Sequence, residues 1–236
     1  MTLFFTHVPK TAGTSIREAT FSHAVPESRT HSFSGIRLAL KNQPGFDLLT
    51  GHYPYGVHLL YSVTDPRYFV MLRDPVDRAI SQYYFTKMGD KPWYTHPDLA
   101  DVKANDLVGF YRNPEYQNLQ ARYVAGLIWE WMGRHLSLNG LLSSTVLGRA
   151  KKHLLERYEA YGLKERFRES ARIFANCAGT ELSLSEERRK KTKERPAKAD
   201  IPEETLRSIR ELNSLDVALY EFAQDHFEMQ KKRHPN

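Results

Sequence analysis

The run Tyr68-Phe69-Val70-Met71-Leu72 constrains the fold of this chain more than any other stretch. It joins bulky aromatic and branched apolar residues without interruption, which is typical of a strand in a parallel sheet covered on both faces. The run ends at Arg73-Asp74-Pro75, where Pro75 suits the first position of a helix and Asp74 suits its N-cap. We therefore expect a strand that leads directly into a helix from Val76 to Lys87.

A second unit of this kind opens the chain. Residues 3–7, which open with the apolar run Leu3-Phe4-Phe5, suit a buried strand, and Ile16 to Phe21 suit a helix; between them lies the turn Lys10-Thr11-Ala12-Gly13-Thr14-Ser15. Backbone N–H groups at a helix start have no partner within the helix and attract anions. Glycine lets the backbone approach closely, while the lysine and the hydroxyl groups add charge and donors. The turn predicts a phosphate or sulfate site, but an ordinary strand–turn–helix connection capped by Thr14 or Ser15 fits the same residues.

The two units predict one site. Ligands of parallel α/β sheets bind at the carboxyl ends of the strands, where both turns lie. Ser81 is about two helical turns beyond Arg73, and the planar fork of an arginine binds two oxygens of a phosphate at once. In the alternative, Arg73 pairs with Asp77 and Ser81 merely faces a helix.

The remaining segments extend this pattern of strands and helices. We predict a strand at Phe46–His52, and helices at His31–Gln43, Leu119–Trp131, Ser143–Phe174 with a break at Gly162, and from Pro202 to about Lys231. The stretch from Gly89 to Asn118 resembles a loop and is a candidate for a substrate-facing insertion. The order predicts an α/β fold with a central, mainly parallel sheet flanked by helices, in a single domain over residues 1–236.

Composition narrows the class of protein. The 34 basic and 28 acidic residues give a net charge of +6, which suits an anionic ligand without being a histone-like excess. Cys177 is the only cysteine, so an intramolecular disulfide and a cysteine-built zinc site are excluded. No signal peptide or membrane span is visible. We expect a soluble cytoplasmic protein, although a trimmed Golgi-lumen protein would give the same pattern.

Together the two motifs resemble the sulfotransferase family, and most closely the carbohydrate sulfotransferases of the heparan/uronyl 2-O type. The resemblance implies a P-loop-like three-layer fold and binding of 3′-phosphoadenosine 5′-phosphosulfate (PAPS), with 3′,5′-ADP (PAP) as product and no metal. Residues Lys10 to Ser15 would hold the 5′-phosphosulfate, and Arg73 with Ser81 the 3′-phosphate. The spacing of nucleotide triphosphatases, Gly-x-x-x-x-Gly-Lys-Ser/Thr, is absent.

Three further segments are similar to that group. In Thr50-Gly51-His52 the resemblance makes His52 the catalytic base, while Thr50 stands where the family often has another histidine. The segment from Asn118 to Gly126 matches a Leu-Gln…Gly segment. The run Arg189-Lys190-Lys191-Thr192 resembles a basic loop that closes over the nucleotide, although a solvated charge run, or a surface that steers a polyanionic acceptor, fits it too. The lack of an N-terminal anchor is typical of a soluble bacterial-type member.

Sulfuryl transfer to a hydroxyl group needs a base and a cation. A neutral histidine near its ordinary pKa of about 6.5 accepts a proton at pH 7, which suits His52; His58 is a weaker alternative, and His7 fixes the backbone or touches the ligand. Lys10 would stabilise the leaving phosphate. We expect a saccharide or glycoconjugate acceptor and no nucleic acid, and the oligomeric state is open. The rivals are a P-loop-like kinase and a non-catalytic basic module that binds anionic polymers.

Overall fold

The computed structural model describes residues 2–34, 45–91, 93–136, 138–183 and 195–235, except the side chains of residues 33 and 34. The strands are β1 (Thr2–Thr6), β2 (Thr30–Ser34), β3 (Leu48–His52), β4 (Pro66–Leu72), β5 (Asp90–Lys91), β6 (Tyr94–Thr95) and β7 (Tyr158–Leu163). Five strands form one sheet in the order β2-β3-β1-β4-β7, and all its pairings are parallel. Strands β5 and β6 form a separate antiparallel hairpin. The predicted parallel sheet is confirmed.

Helices follow β1, β4, β6 and β7 along the chain. They are α1 (Gly13–Ala19), α2 (Phe21–Ala24), α3 (Pro75–Lys87), α4 (Leu99–Ala104), α5 (Leu107–Arg112), α6 (Leu119–Ala125), α7 (Leu127–His135), α8 (Leu141–Glu156), α9 (Phe167–Ala178), α10 (Glu203–Leu212) and α11 (Ser214–Arg233). Helix α3 begins as predicted, because the Asp74 carboxylate accepts a hydrogen bond from the Asp77 N–H at 2.7 Å and Pro75 follows it.

Helices cover both faces of the sheet because side chains of a strand alternate between faces. On one face, Phe5 of β1 packs against Phe21 of α2 at 5.5 Å, and Phe69 of β4 packs against Phe174 of α9 at 5.3 Å. The other face begins with Phe4 of β1, which stacks on Tyr68 of β4 at 4.9 Å, and it continues through Tyr55 to His153 of α8. Continuous apolar runs in β1 and β4 are thus explained by burial on both sides.

The order of the strands contains a switch point between β1 and β4. From β1 the chain crosses towards β2 and β3, whereas from β4 it crosses in the opposite direction to β7. Loops at the carboxyl ends of two such strands diverge and leave a crevice, which is where open α/β sheets bind ligands. The turns after β1 and β4 are those that carry the two sequence motifs.

Two predicted helices are wrong in part. His31 to Ser34 belongs to β2, which pairs with β3 from Thr30↔Leu48 to Ser34↔His52; the remainder of the predicted helix, residues 35–43, lies outside the described residues. The predicted helix from Ser143 to Phe174 contains β7, which pairs with β4. Helix-favouring residues on both sides of β7 concealed the strand.

The segment from Gly89 to Asn118 is also more ordered than predicted. It contains the β5–β6 hairpin, α4, α5 and a 3₁₀ turn at Pro114–Tyr116. Val102 and Phe110 are buried in a second apolar cluster with Ile80 of α3 and Ile209 of α10. The helices were missed because each has only six residues, too few for a periodic pattern.

Two other helices are divided where one was predicted. Gly126 separates α6 from α7 at a φ of 114°, and buried Asn213 separates α10 from α11. Within the described ranges, none of the helices has the length and the apolar composition needed to cross a bilayer. The cytoplasmic location and the single-domain organisation stay predictions.

Candidate functional site

The turn after β1 is held in an uncommon backbone conformation. Lys10 and Ala12 have φ angles of 68° and 69°, a left-handed region that costs a non-glycine residue about 1–3 kcal/mol. The buried Thr11 hydroxyl donates a hydrogen bond to the Val8 carbonyl at 2.8 Å, which fixes the turn from inside. Such strain is found at functional sites, where the backbone is held for a purpose other than stability.

Helix α1 opens without a side-chain cap. Its N-cap residue is Ala12, which makes no side-chain hydrogen bond, and the first backbone bond of the helix joins the Ile16 N–H to the Ala12 carbonyl at 3.0 Å. The predicted alternative, a cap from Thr14 or Ser15, is therefore wrong. The backbone N–H groups of residues 13–15 precede that first bond, and they face the turn as donors for an anion.

Gly13 is required because an imidazole ring occupies the space beside it. A Cβ atom added to Gly13 would lie 2.0 Å from Cδ2 and 2.2 Å from Nε2 of His7, far inside van der Waals contact. The ring of His7 therefore lies over the first turn of α1. The sequence predicted that Gly13 lets the backbone approach a ligand closely. In the structure the group that approaches Gly13 closely is the imidazole ring of His7.

Arg73 joins the two motifs. It follows β4 directly, is 5% exposed, and its Nη1 donates a hydrogen bond to the Lys10 carbonyl at 3.0 Å. Its Nη2 donates to Asp77 at 2.9 Å, so the predicted alternative pairing is present as well. The backbone of Arg73 is held by Gln120, whose side-chain amide bonds both its N–H and its carbonyl at 2.9 Å. The two turns are thus fixed to each other at the switch point.

Ser81 lies buried on α3, one helical turn beyond Asp77. In the described part of the chain, no hydrogen bond joins its hydroxyl group to Arg73. Residues 77 and 81 share one face of the helix because residues four apart are neighbours. Ser81 therefore lies one helical turn further along α3 than Asp77, which bonds Arg73.

His52 ends β3 beside the turn after β1. Its ring centroid is 4.7 Å from that of His7, and its Nδ1 is 2.7 Å from the His7 carbonyl oxygen. A carbonyl only accepts, so Nδ1 carries the proton and Nε2 keeps its lone pair. Burial lowers the pKa of His52, and the bond to His7 opposes this only in part. The neutral, proton-accepting form is thereby favoured at pH 7.

His58 is committed elsewhere. Its Nδ1 is 2.9 Å from the Tyr68 hydroxyl group, and its ring packs on Phe4 and Tyr55 within the apolar face of the sheet. These contacts give it a part in the core.

The side chain of Lys10 reaches the C-terminal end of α3. Its Nζ lies 3.7 Å from the ring centroid of Phe85, which is 41% exposed near the end of α3. Phe85 in turn contacts His96 at 5.8 Å. Burial lowers the pKa of His96, the carboxylate of Asp98 opposes this in part, and the positive charge of Lys10 adds to the lowering. The ammonium group therefore stands between the turn and the insertion.

The predicted basic loop, Arg189 to Thr192, lies outside the described residues. Its C-terminal flank is described and reaches the second motif. Arg195 lies with its Nη1 3.2 Å from the Asp77 carbonyl, and Lys198 lies with its Nζ 3.3 Å from the Asp74 carboxylate.

Two cations near the candidate site, Arg195 and Lys164, were not predicted from the sequence. Arg195 lies among other charged residues, where its sequence context carries no distinguishing signal. Lys164 follows β7 directly, and it could have been found only by recognising β7 as a strand whose carboxyl end meets the site.

A separate cluster could offer ligands to a metal ion. Within the described ranges, ligand atoms of Glu159, Cys177 and His234 lie within 4.8 Å of one another. The Arg67 guanidinium already bonds Glu159 at 3.0 Å, and a positive charge there opposes a cation. Glu159 and Arg67 lie at the amino ends of β7 and β4, opposite the edge that carries His52 and Arg73.

Comparison with known proteins was made at the level of sequence and fold. A family model described as "Sulfotransferase family" matches residues 2–223. Uronyl 2-sulfotransferase homolog pip of Drosophila melanogaster is 29% identical over 44% of this chain and 23% of its own length. Heparin sulfate O-sulfotransferase of the same organism is 25% identical over 71% of this chain and 50% of its own length.

Two further comparisons cover most of the chain. Heparan-sulfate 6-O-sulfotransferase 3-B of Danio rerio is 22% identical over 95% of this chain and 63% of its own length. The chain thus spans less than two thirds of these relatives. The crystal structure of mouse sulfotransferase SULT7A1 complexed with PAP superimposes with a TM-score of 0.52 at 13% identity, over 94% of this chain and 88% of that one, so the two share a fold.

Proposed function

The chain belongs to the sulfotransferase family, and from this premise we propose that it transfers the sulfuryl group of PAPS to a hydroxyl group of a saccharide or glycoconjugate. One observation carries the proposal: the hydrogen bond from Arg73 to the Lys10 carbonyl brings the two anion-binding motifs together at the switch point. The fold neighbour was solved with PAP, and the relatives are named for heparan, heparin and uronyl sulfation.

PAPS, the sulfuryl donor, suits the polar groups of the crevice at the carboxyl ends of β1 and β4. The buried Nε of Arg73 has no hydrogen-bond partner among the described residues, and an arginine nitrogen left so is a donor awaiting an acceptor. We assign the 5′-phosphosulfate to Lys10-Thr11-Ala12-Gly13-Thr14-Ser15, where Thr11 acts through its backbone because its hydroxyl hydrogen is engaged with Val8. We assign the 3′-phosphate to Arg73 and Ser81.

The reaction assigned to the site moves one proton and one sulfuryl group. His52 Nε2 accepts the proton of the acceptor hydroxyl as its oxygen forms the new bond to sulfur. The bond between sulfur and the bridging oxygen breaks, and that oxygen keeps the electron pair on PAP. Lys10 and the N–H groups at the start of α1 stabilise the charge that develops there. Loss of such a donor typically costs about 10²–10³-fold in rate.

The acceptor is assigned to the side of the β5–β6 hairpin. Phe85 and Tyr94 offer exposed rings that both contact His96, at 5.8 and 6.2 Å, and such rings can pack on the apolar face of a sugar. Lys10 contacts Phe85, so a saccharide on these rings would place a hydroxyl group near the reacting atoms. The proposal thus assigns to the segment from Gly89 to Asn118 the substrate-facing role that the sequence analysis predicts for it.

The direct test measures turnover. The protein is incubated with PAPS and with desulfated heparan, chondroitin and simpler glycosides, and release of PAP is followed. We expect PAP only when an acceptor is present, and a loss of at least about 10²-fold in Lys10→Met. Lys152→Met is the control, because Lys152 is exposed on α8 in a pair with Glu156.

Other outcomes would overturn the assignment. Magnesium-dependent phosphate transfer from ATP without PAPS turnover would establish the kinase. Salt-sensitive binding of anionic polymers that survives Lys10→Met, without turnover, would establish the non-catalytic basic module.

A further inference from the structure

The Asp77 carboxylate lies among more positive charge than it can neutralise. Its Oδ2 accepts a hydrogen bond from Arg73 Nη2 at 2.9 Å, and its Oδ1 is 3.5 Å from Arg195 Nη2. Burial alone would raise the pKa of Asp77, but Arg73, Arg195 and Lys164 outweigh burial and hold that pKa below its ordinary value. Within the described residues, the carboxylate thus bonds one guanidinium group and lies 3.5 Å from a second, with the charge of Lys164 acting on it as well.

Lys164 is brought to this cluster by the register of the sheet. Leu163 of β7 pairs with Leu72 of β4, so Lys164 and Arg73 are the next residues on neighbouring parallel strands, which lie about 4.8 Å apart. Burial and the positive charge of Arg73 lower the pKa of Lys164, and the carboxylates of Glu165 and Asp77 oppose this only in part. A half-buried lysine beside a buried arginine is costly unless an anion joins them.

Two other carboxylates lie nearby, and both are engaged: Asp74 accepts the Asp77 N–H at 2.7 Å and pairs with Lys198 at 3.3 Å. Glu165 accepts hydrogen bonds from the Asp74 N–H at 3.3 Å and from the Tyr220 hydroxyl group at 2.6 Å. The Arg73 Nε atom is buried without a partner among the described residues. Among the described residues the cations of this cluster (Arg73, Lys164, Arg195 and Lys198) outnumber its carboxylates (Asp74, Asp77 and Glu165) by one, and the Arg73 Nε is a further donor for an anion.

The position of Asp77 is as informative as its charge. It contacts Arg73 on one side, and Ser81 is one helical turn away on the other. Its carboxylate therefore lies between the two groups assigned to the 3′-phosphate. A phosphate monoester carries about −1.5 to −2 charges at pH 7 and three acceptor oxygens, so it satisfies three cations better than one carboxylate does.

We propose that Asp77 occupies, in the nucleotide-free protein, the position that the 3′-phosphate of the donor takes, and that Lys164 and Arg195 join Arg73 as ligands of that phosphate. The inference rests on the proposed function. It adds an internal competitor and two ligands to the site. Asp77 holds the cations in place, and a ligand must supply a stronger anion to displace it, which selects nucleotides that carry a 3′-phosphate.

The test compares two nucleotides that differ only in that phosphate. Isothermal titration calorimetry at fixed ionic strength gives the dissociation constants of PAP and 5′-AMP, and their ratio is the readout. We expect Lys164→Met to reduce the preference for PAP about tenfold, the size of one charged hydrogen bond. Lys164→Arg should retain the preference. Lys152→Met is the matched control on an exposed lysine.

Asp77→Asn provides a second, opposite test. Removing the competing charge should tighten PAP binding about five- to tenfold and leave 5′-AMP binding unchanged, whereas Asp225→Asn, on the exposed face of α11, should change neither. Thermal melting confirms that each variant is folded.

The outcomes separate the inference from the proposed function. A wild-type protein that binds PAP no better than 5′-AMP would overturn both. A clear preference for PAP that Lys164→Met leaves intact would overturn the role of Lys164 alone. Weaker PAP binding in Asp77→Asn would show that the carboxylate supports the phosphate, and it would overturn the competition.

Discussion

At the scale of single residues, the proposed reaction depends on which nitrogen of His52 carries the proton. The His7 carbonyl fixes that proton on Nδ1 and leaves Nε2 basic. This constraint could not be predicted from the sequence, because it depends on β1 and β3 ending side by side. The sequence made His52 the candidate base, and the register of the sheet determines its tautomer.

The pH dependence of turnover follows from the burial of His52. Burial lowers its pKa below the ordinary 6.5, and the unprotonated form is the base. Activity should therefore persist as pH falls through 6.5 and decline only below it, which the acid limb of kcat/KM reports for the free enzyme.

His52→Gln should abolish that limb and lower kcat about 10²–10⁴-fold. The control is His226→Gln, since His226 Nδ1 also bonds a backbone carbonyl, 2.8 Å away at Phe222. An acid limb above pH 6.5, or one that survives in His52→Gln, would contradict the assignment.

Gly13→Ala tests the contact between the turn and His7. The new methyl group would lie about where the imidazole now stands, so the ring or the turn must move. We expect PAP affinity and kcat to fall at least about tenfold, as misplacement of a site by a fraction of an ångström does.

Gly148→Ala is the matched control for that substitution. Nothing lies within 4 Å of the added Cβ in the middle of α8, and alanine should stabilise the helix by about 1 kcal/mol. Equal behaviour of the two variants in calorimetry and turnover would show that the close approach at Gly13 has no function.

At the scale of elements, two helix N-termini cap each other. The buried Asp216 carboxylate of α11 accepts the N–H groups of Gln120 and Ala121 at the start of α6, at 3.2 and 2.8 Å. In return, the Asn118 side chain before α6 accepts the N–H of Leu215 at 2.9 Å. Because α6 also carries Gln120, which holds Arg73, this junction supports the site from behind.

Asp216→Ala should therefore be strongly destabilising. Arg78 is fully buried with its Nε 3.7 Å from the Asp216 carboxylate, and removing one partner of a buried ion pair typically costs about 3–5 kcal/mol. Urea denaturation measures the loss, and Asp225→Ala on the exposed face of the same helix is the control. A change below about 1 kcal/mol would show that the pair and the cap are dispensable.

Elements with strong local signals could be predicted, and elements defined by distant contacts could not. β4 and α3 follow from an apolar run and from Asp74-Pro75. β7 contains Gly162, although glycine is a poor strand former. A larger residue does not fit there, because an added Cβ would lie 2.2 Å from the sulfur of Met71. That reason exists only after β4 and β7 have paired, so no pattern within residues 158–163 reveals it.

At the scale of the whole molecule, the site follows from the topology. The sequence placed a cation and a helix start after each of two strands, and this sufficed to predict one shared site. It could not supply the strand order that makes β1 and β4 neighbours with diverging connections. Lys164 lies beside Arg73 because β7 pairs with β4, and Arg195 lies there because it contacts Asp77 of α3. Neither contact is visible in the sequence, so both residues were missed.

The edge of the sheet gives a prediction for the stability of the whole fold. β7 is the last strand of the described sheet, and an unpaired edge exposes backbone donors and acceptors. Gln230, near the end of α11, bonds the Tyr161 N–H at 2.9 Å and also the Tyr161 carbonyl. The Gln230 amide thus satisfies the Tyr161 N–H and carbonyl as a residue of a neighbouring strand would, and it holds α11 against the edge of the sheet.

Gln230→Ala would leave that buried backbone pair unsatisfied, which costs about 1–3 kcal/mol for each group. Gln224→Ala on the exposed face of α11 is the control. Urea denaturation should separate the two variants by about 2 kcal/mol or more. Because α11 carries Asp216 at one end and Gln230 at the other, loosening the edge should also weaken PAP binding. Loss of stability with unchanged PAP affinity would show that the two ends of α11 are uncoupled, and equal stability of the two variants would show that the edge needs no partner.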